Sequence, residues 1–515
     1  MTKHKTLYFF WAAFSISLLI LLQAMPALAQ RAAGKPDSVD TWSAGPNLPS
    51  VGVRLVGVFF PANGHFYAVG GRSSDSAGSD FTNPFDYNPG TNAWTTATPT
   101  YPDNQVNNMA CGVLTVGGTP KIYCVGGSAA GATTATPRVF TYDPVANTIT
   151  LLSAGANWPG DADGITLPGG FTVYNNKLYI LGGFKISTSM TDEIWEFTPG
   201  TNTWVQKSSH LGAQLGYVPT TTIGNKIYTA GGDNWDGTTI NEQNNAYVFD
   251  PVNDTIAPIA VIPRATAETR ALNVYGQMWV MGGGRNAPNP SNEVDIYNPY
   301  CNTWTVSSQP FVNARRNFPT DTDGVSRVWL AGGYVNGVAD NTMEIDKFPM
   351  VTNAVSRKLH GGAGNFDIPL ALNGPTAVES RIGPTYQMVI NFSTSVTVGS
   401  AAVTCGTGSV GSISGNGTST ITVNLAGVTD VQRITVTLSS VSDGTNIGDV
   451  PISMGVLVAD VNANGAVNAS DVALTKSQVG QTVTSSNFRE DVNANGTISA
   501  TDVAIAKSDV GHALP

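Results

Sequence analysis

The stretch His65-Phe66-Tyr67-Ala68-Val69-Gly70-Gly71 decides the fold, because an apolar strand ending in a Gly-Gly pair recurs five more times along the chain. The other copies end at residues 126–127, 182–183, 231–232, 282–283 and 332–333, so successive pairs lie 49 to 56 residues apart. A repeat of about 50 residues that holds four strands is typical of a β-propeller blade, which cannot bury both faces alone. The spacing therefore predicts six blades.

The first five repeats share two further strands. Aromatic strands that end in turns follow the Gly-Gly pairs at residues 85–89, 142–144, 197–199, 249–251 and 297–299. The next strands carry Trp94, Ile149, Trp204, Ile256 and Trp304. The Gly-Gly pair, the Tyr-Asp-Pro turn and the Asn-x-Trp strand together resemble the Kelch repeat over residues 38–350. This resemblance implies a propeller that binds ligands through its loops.

The two ends of this region complement each other. No Trp strand follows the sixth Gly-Gly pair, whereas Asp40-Thr41-Trp42-Ser43 is a Trp strand with no repeat before it. Placing the N-terminal strand in the last blade completes six blades and leaves no open sheet edge. The sequence thus predicts a six-bladed propeller closed from both ends of residues 38–350.

Composition supports a mainly β protein. The chain has 515 residues, of which 12% are charged, against about 25% in typical domains. Its 56 glycines suit tight turns, and its 41% hydrophobic content supplies cores and excludes bulk disorder. The formal charge of −10 provides no global field that would favour binding to nucleic acid.

The first 29 residues resemble a secretory signal peptide. Lys3, His4 and Lys5 precede an apolar run at residues 7–22, and Ala27-Leu28-Ala29 provides a small-residue cleavage site. The run is short for a bilayer span, and no second run follows it. We therefore expect a secreted, extracellular or cell-surface protein without a membrane span, with an uncleaved anchor as the alternative.

The cysteines fit an oxidising compartment. If a two-residue turn centres on Gly117-Gly118, Cys111 and Cys124 face each other on opposing strands, which makes a disulfide plausible. Two buried free thiols are the alternative. Cys301 and Cys405 lie in different segments, and the sequence leaves their pairing open.

The pattern changes after residue 350. Strands rich in Val, Ile and Thr occupy residues 386–392, 420–425 and 433–438, separated by Gly- and Ser-rich turns. About a hundred residues of this kind, 351–455, predict an immunoglobulin-like β-sandwich. We interpret it as a spacer or binding module, because it contains no catalytic constellation.

The strongest chemical signal lies in residues 456–515, where two loops repeat each other at an offset of 31 residues. Asp460-Val461-Asn462-Ala463-Asn464-Gly465 reaches Asp471, and Asp491-Val492-Asn493-Ala494-Asn495-Gly496 reaches Asp502. Oxygen side chains at positions 1, 3, 5, 9 and 12, with Gly at 6, match the oxygen shell that calcium prefers. The final Asp and the helices that follow resemble a type I dockerin.

The resemblance assigns two calcium ions and their ligands. The ligands of the two loops would be Asp460, Asn462, Asn464, the carbonyl of Ala466, Asn468 and Asp471, and then Asp491, Asn493, Asn495, the carbonyl of Thr497, Ser499 and Asp502. Position 5 is Asn in both loops where many dockerins have Asp, so we expect weaker calcium binding than is usual for the family. Partner-docking positions carried over from the family are Ala469, Ser470, Lys476, Ala500, Thr501 and Lys507, and the expected partner is a cohesin-bearing scaffold or surface protein.

Enzyme signatures are sparse. Some Kelch propellers resemble galactose oxidase, a copper enzyme that needs two His, two Tyr and a Cys cross-linked to one Tyr. Residues 38–350 contain two histidines, His65 and His210, and these lie in different repeats. The acidic pairs Asp161/Asp163 and Asp321/Asp323 fit turn caps better than glycosidase chemistry. We therefore identify no catalytic residue and expect no copper.

A candidate ligand face follows from strand geometry. In an up-and-down blade the start of the first strand and the end of the second lie on the same rim. The residues at those places are Arg54, Arg72, Phe184, Trp235, Arg270, Arg285, Arg315 and Tyr334. Guanidinium groups and aromatic planes suit sugar rings or carboxylates, although such arginines also bind loop carbonyls between blades.

Three hypotheses follow. The leading one is a secreted non-catalytic recognition or adhesion protein, whose Kelch propeller binds a glycan or protein ligand and whose dockerin binds a cohesin in a polysaccharide-degrading or cell-surface system. The second is a carbohydrate-active propeller enzyme, a galactose-oxidase-like oxidase or a lyase. The third is a structural surface protein whose calcium loops only rigidify its own C-terminus.

Overall fold

Short apolar segments bounded by glycine and asparagine form the strands of this protein, as expected for a chain poor in charge. The computed structural model describes residues 42–286, 289–383 and 385–515. The predicted signal peptide, residues 1–29, and the first two residues of the predicted closing strand, Asp40 and Thr41, lie outside the described residues. The predicted mainly β fold class is confirmed.

Residues 43–347 form six four-stranded antiparallel sheets, together with a few shorter strands. We number them 1 to 6 and give their strands from first to last. Sheet 1 consists of Val56–Phe60, His65–Val69, Phe85–Asn88 and Ala93–Thr96; sheet 2 of Ala110–Val116, Thr119–Val125, Val139–Asp143 and Thr148–Leu151; sheet 3 of Thr166–Tyr174, Lys177–Lys185, Ser189–Thr198 and Thr203–His210. Sheet 4 consists of Thr220–Ile223, Lys226–Ala230, Ala246–Asp250 and Thr255–Pro258; sheet 5 of Ala271–Val274, Gln277–Gly283, Ser291–Asn298 and Thr303–Val306; sheet 6 of Thr320–Thr322, Arg327–Ala331, Met343–Lys347 and Ser43–Gly45.

The six sheets form a closed ring. The first strand of each sheet contacts the first strands of the sheets before and after it, including sheet 6 with sheet 1. Short strands lie outside this pattern, at Asp233–Trp235 with Ile240–Glu242 and at Arg315–Arg316 with Tyr334–Val335 and Val338–Ala339. Two 3₁₀ turns, Ala154–Ala156 and Pro159–Asp161, join sheets 2 and 3.

The N-terminal strand completes sheet 6. Ser43 pairs with Ile345 and Gly45 with Met343, so the strand lies beside the last strand contributed by the other end of this region. Trp42 is buried and its ring meets the edge of Phe311 at 5.7 Å. The outermost strand of sheet 6 therefore comes from the opposite end of the region to its other three strands.

The repeated motifs hold neighbouring sheets together. Gly70 has φ of 72°, and a Cβ at this position would lie 2.3 Å from the carbonyl oxygen of Val106 in the loop leading to sheet 2, which only glycine permits. The indole N–H of Trp94 donates to the carbonyl of Pro46 at 2.9 Å, and Trp204 and Trp304 make equivalent bonds to earlier loops. The Gly-Gly and Trp positions thus fix contacts between sheets as well as within them.

Residues 351–456 form two further sheets. One has the strand order Asn365–Leu370, Val351–Leu359, Thr385–Val396, Thr418–Ala426 and Ser409–Ser414; the other has Val378–Glu379, Ile447–Val456, Gln432–Ser442 and Ser400–Cys405. Buried side chains from both sheets, including Ile390 and Ile452, belong to one apolar cluster. We refer to this region as the sandwich; its likeness to immunoglobulin domains stays a prediction.

The sandwich is docked against the ring of sheets. The apolar cluster of the sandwich continues into Leu272, Tyr275 and Phe348 of sheets 5 and 6 and the segment after them. Asn273 of sheet 5 donates to the carbonyl of Asn373 at 3.1 Å. A continuous apolar core joins the two regions, so the sandwich is more than a loose spacer.

Two helices, α1 (Ala469–Ser477) and α2 (Ala500–Ser508), lie near the C-terminus. Apolar side chains near these helices and in the sandwich form one buried cluster, which includes Val378 of the sandwich, Leu457 and Ala506 of α2. A 3₁₀ turn at Gly361–Ala363 in the sandwich lies against the segment before α2, close to Asn495. None of the helices formed by the described residues has the length and apolar character needed to cross a bilayer.

Candidate functional site

Five residues with a left-handed backbone surround one end of the ring. They stand two or three residues before the first strands of sheets 1, 2, 4, 5 and 6 and are Arg54 (φ 61°), Asn108 (58°), Tyr217 (50°), Glu268 (56°) and Asn317 (53°). Such backbone strain outside glycine costs on the order of 1–3 kcal/mol per residue and concentrates at binding sites and switches. We name these five residues the mouth ring.

Main-chain hydrogen bonds link the mouth ring in succession. The amide of Asn317 donates to the carbonyl of Glu268 at 2.6 Å, and that of Arg54 donates to the carbonyl of Asn317 at 2.8 Å. The amide of Glu268 donates to Tyr217 at 3.3 Å, and that of Asn108 donates to Arg54 at 3.5 Å. The bonds hold consecutive sheets in register and direct five side chains toward one place.

All five mouth-ring residues line one cavity of about 70 Å³. Its wall at sheet 3 is formed by Pro168 and Gly169, and its floor includes Phe171 and Arg270. This volume holds a few water molecules or one small charged group of a larger ligand.

Two arginines in this cavity have no acidic partner. Arg54 donates to Oδ1 of Asn108 at 3.0 Å and to the hydroxyl of Tyr217 at 3.4 Å. Arg270 donates to the carbonyl of Gly57 at 3.0 Å, and its guanidinium carbon lies 4.2 Å from the centre of the Phe171 ring. Among the described residues, no carboxylate oxygen lies within 4.0 Å of either guanidinium group. The charges of Glu268 and Asp321 act on Arg54 and Arg270 from a distance, but neither carboxylate bonds directly to these guanidinium groups. Partly buried cations with free donors favour an anionic ligand.

Burial acts strongly on Arg270. It lowers the pKa of this guanidinium, while the charge of Asp321 acts in the opposite direction. The carboxylate of Asp321 is itself engaged, because it accepts the amide of Phe59 at 2.7 Å. Arg270 also lines a second cavity, of about 370 Å³, between the first strands of the sheets. Its side chain therefore separates the mouth cavity from the interior of the ring.

The far end of the interior cavity meets the sandwich. Asn373 lines that cavity and donates to the carbonyl of Gly324 at 3.0 Å. Asn273, on the first strand of sheet 5, is bonded to the same residue. A ligand therefore has its clearest approach from the side of the mouth ring.

Glu268 is the acidic centre of the mouth ring. It is buried and accepts hydrogen bonds from Arg285 and Arg316. Burial alone would raise its pKa, but the charges of Arg285, Arg316 and Arg54 hold the pKa below its usual range. Glu268 therefore stays ionised and fixes two arginines beside the cavity.

A second buried acid stands near this group. Asp233 is 0% exposed, and both of its carboxyl oxygens have no hydrogen-bond partner among the described residues. Burial, followed by the charge of Glu268, raises the pKa of Asp233 to about 8. Asp233 is therefore protonated at neutral pH, whereas Glu268 is charged.

The structure joins most of the predicted ligand face into one network. Arg54 and Arg270 line the mouth cavity. The ring of Phe184 lies 5.5 Å from that of Tyr217, and Arg285 binds Glu268. Arg72 and Tyr334 both bind Asp75, and Arg316 stacks on Tyr334 at 4.4 Å.

Two predicted face residues, Arg315 and Trp235, lie outside this network. Arg315 is 0% exposed and donates to the carbonyl of Gly332 at 2.6 Å and to Glu344 at 2.7 Å. The structure contradicts the prediction of Arg315 as a ligand contact, because its side chain is fully buried and its donors are used by Asn313, Gly332, Thr342 and Glu344. Trp235 lies on the hairpin Asp233–Trp235 with Ile240–Glu242 and is not among the residues that line the cavity.

Sequence reasoning missed four members of the mouth ring: Asn108, Tyr217, Glu268 and Asn317. The available signal was their shared place before each first strand. Their left-handed backbone, which turns the side chains into one cavity, depends on contacts between different repeats.

The histidines and the acidic pair Asp161/Asp163 do not line the mouth cavity, whereas Asp321 and Asp323 line the interior cavity together with Arg270. His65 pairs with Asp86 of the same sheet at 2.8 Å, and His210 pairs with Asp192 at 3.1 Å. Asp161 accepts the amide of Thr166 at 2.7 Å, as a turn cap does.

The cysteines form two disulfides. Cys111 and Cys124 face each other across the first two strands of sheet 2 and are bonded. Cys301 and Cys405, which the sequence left unassigned, are also bonded and connect the turn after Asn298 to the sandwich.

The two C-terminal loops have the same geometry. The amide of Gly465 donates to Asp460 and that of Gly496 to Asp491, both at 2.8 Å. Asp471 and Asp502 occupy the third position of α1 and α2, where they accept amides of their own loops as parts of capping boxes. Asp471 and Asp502 are therefore the last residues of the loops and also belong to the first turns of α1 and α2.

The donor set fits a hard cation. Asp460 and Asp471 are fully buried in the same loop. Burial is the main cause that raises the pKa of Asp460, and the charge of Asp471 acts in the same direction. Two buried carboxylates among amide and carbonyl oxygens are stabilised by calcium, which takes six to eight oxygen ligands.

The predicted docking residues are all exposed in both repeats. They are Ala469, Ser470, Lys476, Ala500, Thr501 and Lys507. Each repeat therefore presents its helix surface to solvent.

Comparison with known proteins agrees with these features. A family model of the type I dockerin domain matches residues 458–510, and a model of the Kelch motif matches residues 265–309. Among curated proteins, the chain is similar to Kelch-like protein 35 of Mus musculus, with 26% identity over 139 residues. That match covers 27% of this chain and 22% of the mouse protein, so it concerns a part of each.

Type I dockerins bind calcium, and a dockerin implies a cohesin partner. The Kelch motif match covers sheet 5, and the dockerin match covers the paired C-terminal loops. The chain carries Kelch repeats followed by a type I dockerin domain at its C-terminus.

Proposed function

We propose that this chain is a secreted, non-catalytic recognition protein, in which a six-bladed Kelch propeller binds an acidic glycan and a calcium-loaded dockerin tethers it to a cohesin-bearing partner. In this proposal residues 38–350 form the propeller, 351–455 an immunoglobulin-like sandwich, and 456–515 the dockerin. The observation that carries the binding role is that Arg54 and Arg270 line one cavity and that, in the described part of the chain, no carboxylate oxygen lies within 4.0 Å of either guanidinium group.

The chemistry of the cavity favours a carboxylate on a sugar. Arg54 and Arg270 offer charge and fork-shaped donors, Asn108 and Asn317 offer amide groups, and Tyr217 offers a hydroxyl and an aromatic plane. Uronic acids combine a carboxylate with hydroxyl groups and an apolar ring face, so they match all three kinds of contact.

Binding is tested with the full-length protein and oligosaccharides of matched length. We expect oligouronates to bind and neutral oligosaccharides to bind much more weakly in calorimetric titrations. The double variant Arg54→Gln/Arg270→Gln should weaken binding about 150-fold or more, because two charge-assisted hydrogen bonds are lost and each is worth about 1.5–3 kcal/mol. Arg357→Gln, on the sandwich, is the control.

Equal binding of neutral and acidic sugars would contradict the acidic class. Binding of acidic peptides in place of sugars would move the ligand to the protein class. An unchanged affinity in the double variant would remove the cavity as the site.

The tether is tested by capture of the chain on an immobilised cohesin, with calcium and with excess chelator. Calcium-dependent capture is expected, and Ala469→Arg/Ala500→Arg should abolish it by placing a long charged side chain on both docking surfaces. Failure of a panel of type I cohesins to capture the wild-type chain would favour a structural role for the loops.

A carbohydrate-active oxidase or lyase is the competing function. Metal analysis after copper reconstitution, together with assays of peroxide release and of unsaturated sugar products, separates the two. Stoichiometric copper with ligand-dependent peroxide release that His65→Ala abolishes would overturn the non-catalytic proposal.

A further inference from the structure

His360 of the sandwich reaches the second calcium loop. Its Nδ1 lies 2.7 Å from Oδ2 of Asp491, the first residue of that loop, and both side chains are 0% exposed. The rings of Phe366 and Phe488 meet the imidazole edge-on at 5.2 and 6.1 Å. The contact therefore lies in a closed, largely aromatic setting.

The neighbours of His360 define its hydrogen-bond roles. Its Nε2 lies 3.1 Å from the guanidinium of Arg381, which can only donate, so Nε2 accepts. A neutral imidazole then carries its proton on Nδ1 and donates it to Asp491. Arg381 is held in place by Glu379, with bonds of 2.8 and 2.7 Å. A chain of fixed side chains thus orients one loop carboxylate.

The backbones approach closely at the same place. A Cβ on Gly361 would lie 2.2 Å from the carbonyl oxygen of Asn495, and a Cβ on Gly496 would lie 2.8 Å from that of His360. The amide of Ile382 donates to the carbonyl of Val492 at 2.8 Å. The second loop is therefore built against the sandwich over several residues.

The first loop has a different environment. The oxygens of Asp460 accept the amides of Asn464 at 3.1 Å and Gly465 at 2.8 Å, both from its own loop. No lysine, arginine or histidine nitrogen in the described part of the chain lies within 4.0 Å of this carboxylate. Loop 1 also pairs with the C-terminal segment, where Ala466 bridges Ala513. Near-identical loop sequences therefore have unequal surroundings.

We infer that the second calcium site extends beyond the dockerin, with His360 as a positioning residue that orients Asp491 through its Nδ1–H. Outer-sphere partners of this kind fix the direction of a ligand oxygen and typically change metal affinity 10–100-fold. Because the same residue lies in the sandwich, calcium in loop 2 also stabilises the contact between sandwich and dockerin. In loop 1, Val461 and Val467 pack beside Val378 of the sandwich, but no charged sandwich side chain among the described residues pairs with the first carboxylate, Asp460.

The experiment isolates each loop in the full-length protein. Asp471→Ala leaves loop 2 as the intact site, and Asp502→Ala leaves loop 1. In each background we compare His360 with His360→Asn and His360→Gln by calorimetric titration with calcium. Asn places an amide donor near the position of Nδ1, whereas Gln places it near that of Nε2.

In the loop 2 background, we expect His360→Gln to weaken calcium binding at least about tenfold and His360→Asn to restore most of the loss. In the loop 1 background, the calcium affinity of both variants should lie within about twofold of that of the protein that keeps His360. The calcium-induced rise in unfolding temperature should shrink only for Gln in the loop 2 background.

Equal losses for Asn and Gln, or equal losses in both loop backgrounds, would overturn the inference, because a general packing defect does not distinguish donor positions or loops. A variant that fails to fold is recognised by loss of the β signal in circular dichroism at saturating calcium. In that case the folded variant is compared with the protein that keeps His360. An unchanged calcium affinity of loop 2 in a folded His360→Gln variant would also overturn the inference.

Discussion

Cys301 and Cys405 form a disulfide that joins sheet 5 of the ring to the sandwich across 104 residues of chain, with their Cα atoms 5.8 Å apart. It lies beside contacts of the same interface, including Asn298 to Thr435 at 3.3 Å and Arg433 over the ring of Tyr300. The sandwich is therefore held to the ring covalently as well as by a shared apolar core.

Removing this disulfide should loosen the sandwich from the ring. For Cys301→Ala/Cys405→Ala we expect a loss of about 2–4 kcal/mol in the free energy of unfolding, because the crosslink restricts a long loop in the unfolded chain. Hydrogen exchange should rise at the contact between sandwich and sheet 5. The matched control is Cys111→Ala/Cys124→Ala, whose bond spans 13 residues within sheet 2 and should leave that contact protected. Equal exchange at the contact in both variants would contradict this role.

The N-terminal strand should stabilise the whole ring. A chain starting at residue 47 lacks Trp42 and the strand Ser43–Gly45, which leaves the edge of sheet 6 open. We expect it to lose at least about 3 kcal/mol relative to a chain starting at residue 42, the usual minimum cost of truncating a buried Trp to Ala. Chemical denaturation followed by tryptophan fluorescence measures this difference. Coincident unfolding curves would rule out closure by this strand.

Calcium removal should affect the C-terminus and spare the ring. Excess chelator leaves buried carboxylates such as Asp460 and Asp471 without a cation, so we expect α1 and α2 to lose their helical signal in circular dichroism. Apart from Trp11, every tryptophan lies between Trp42 and Trp329, so tryptophan emission reports on the ring and should not change. Retention of the helical signal in chelator would contradict the first expectation, and a red shift of the emission would contradict the second.

Asp233 should make stability depend on pH. Its pKa is about 8 in the folded protein against 3.8 ordinarily, so between about pH 4 and pH 8 the folded state keeps a proton that the unfolded chain has released. Stability therefore falls as pH rises through this window, by at most about 1.4 kcal/mol per unit, and levels off above pH 8.

Asp233→Asn removes this titrating group, so its stability should fall less steeply over the same window. Denaturant midpoints of both proteins at several pH values measure the slopes, and their difference cancels the groups that the two proteins share. Parallel slopes would show that Asp233 is ionised in the folded state.

The sequence by itself determined the features that depend on local spacing. Gly-Gly pairs, Tyr-Asp-Pro turns and Trp strands predicted where strands and turns fall, because close backbone approach and strand alternation are properties of a few consecutive residues. The two Asp-x-Asn-x-Asn-Gly loops predicted a dockerin with calcium ligands for the same reason, since one short segment supplies most of each oxygen shell. Facing positions across a Gly-Gly turn also made the Cys111–Cys124 bond plausible.

Only the tertiary structure decided which distant residues meet. The left-handed backbone of Tyr217 and Glu268 arises from hydrogen bonds between different repeats, so no single repeat reveals the mouth ring. Arg315 and Arg54 looked alike as rim arginines, yet one is buried beside Glu344 and the other lines the cavity. The pairing of Cys301 with Cys405 and the contact of His360 with Asp491 join residues more than 100 positions apart. Such contacts depend on how folded units pack against one another, and that packing minimises exposed apolar area over the whole chain instead of following any local pattern.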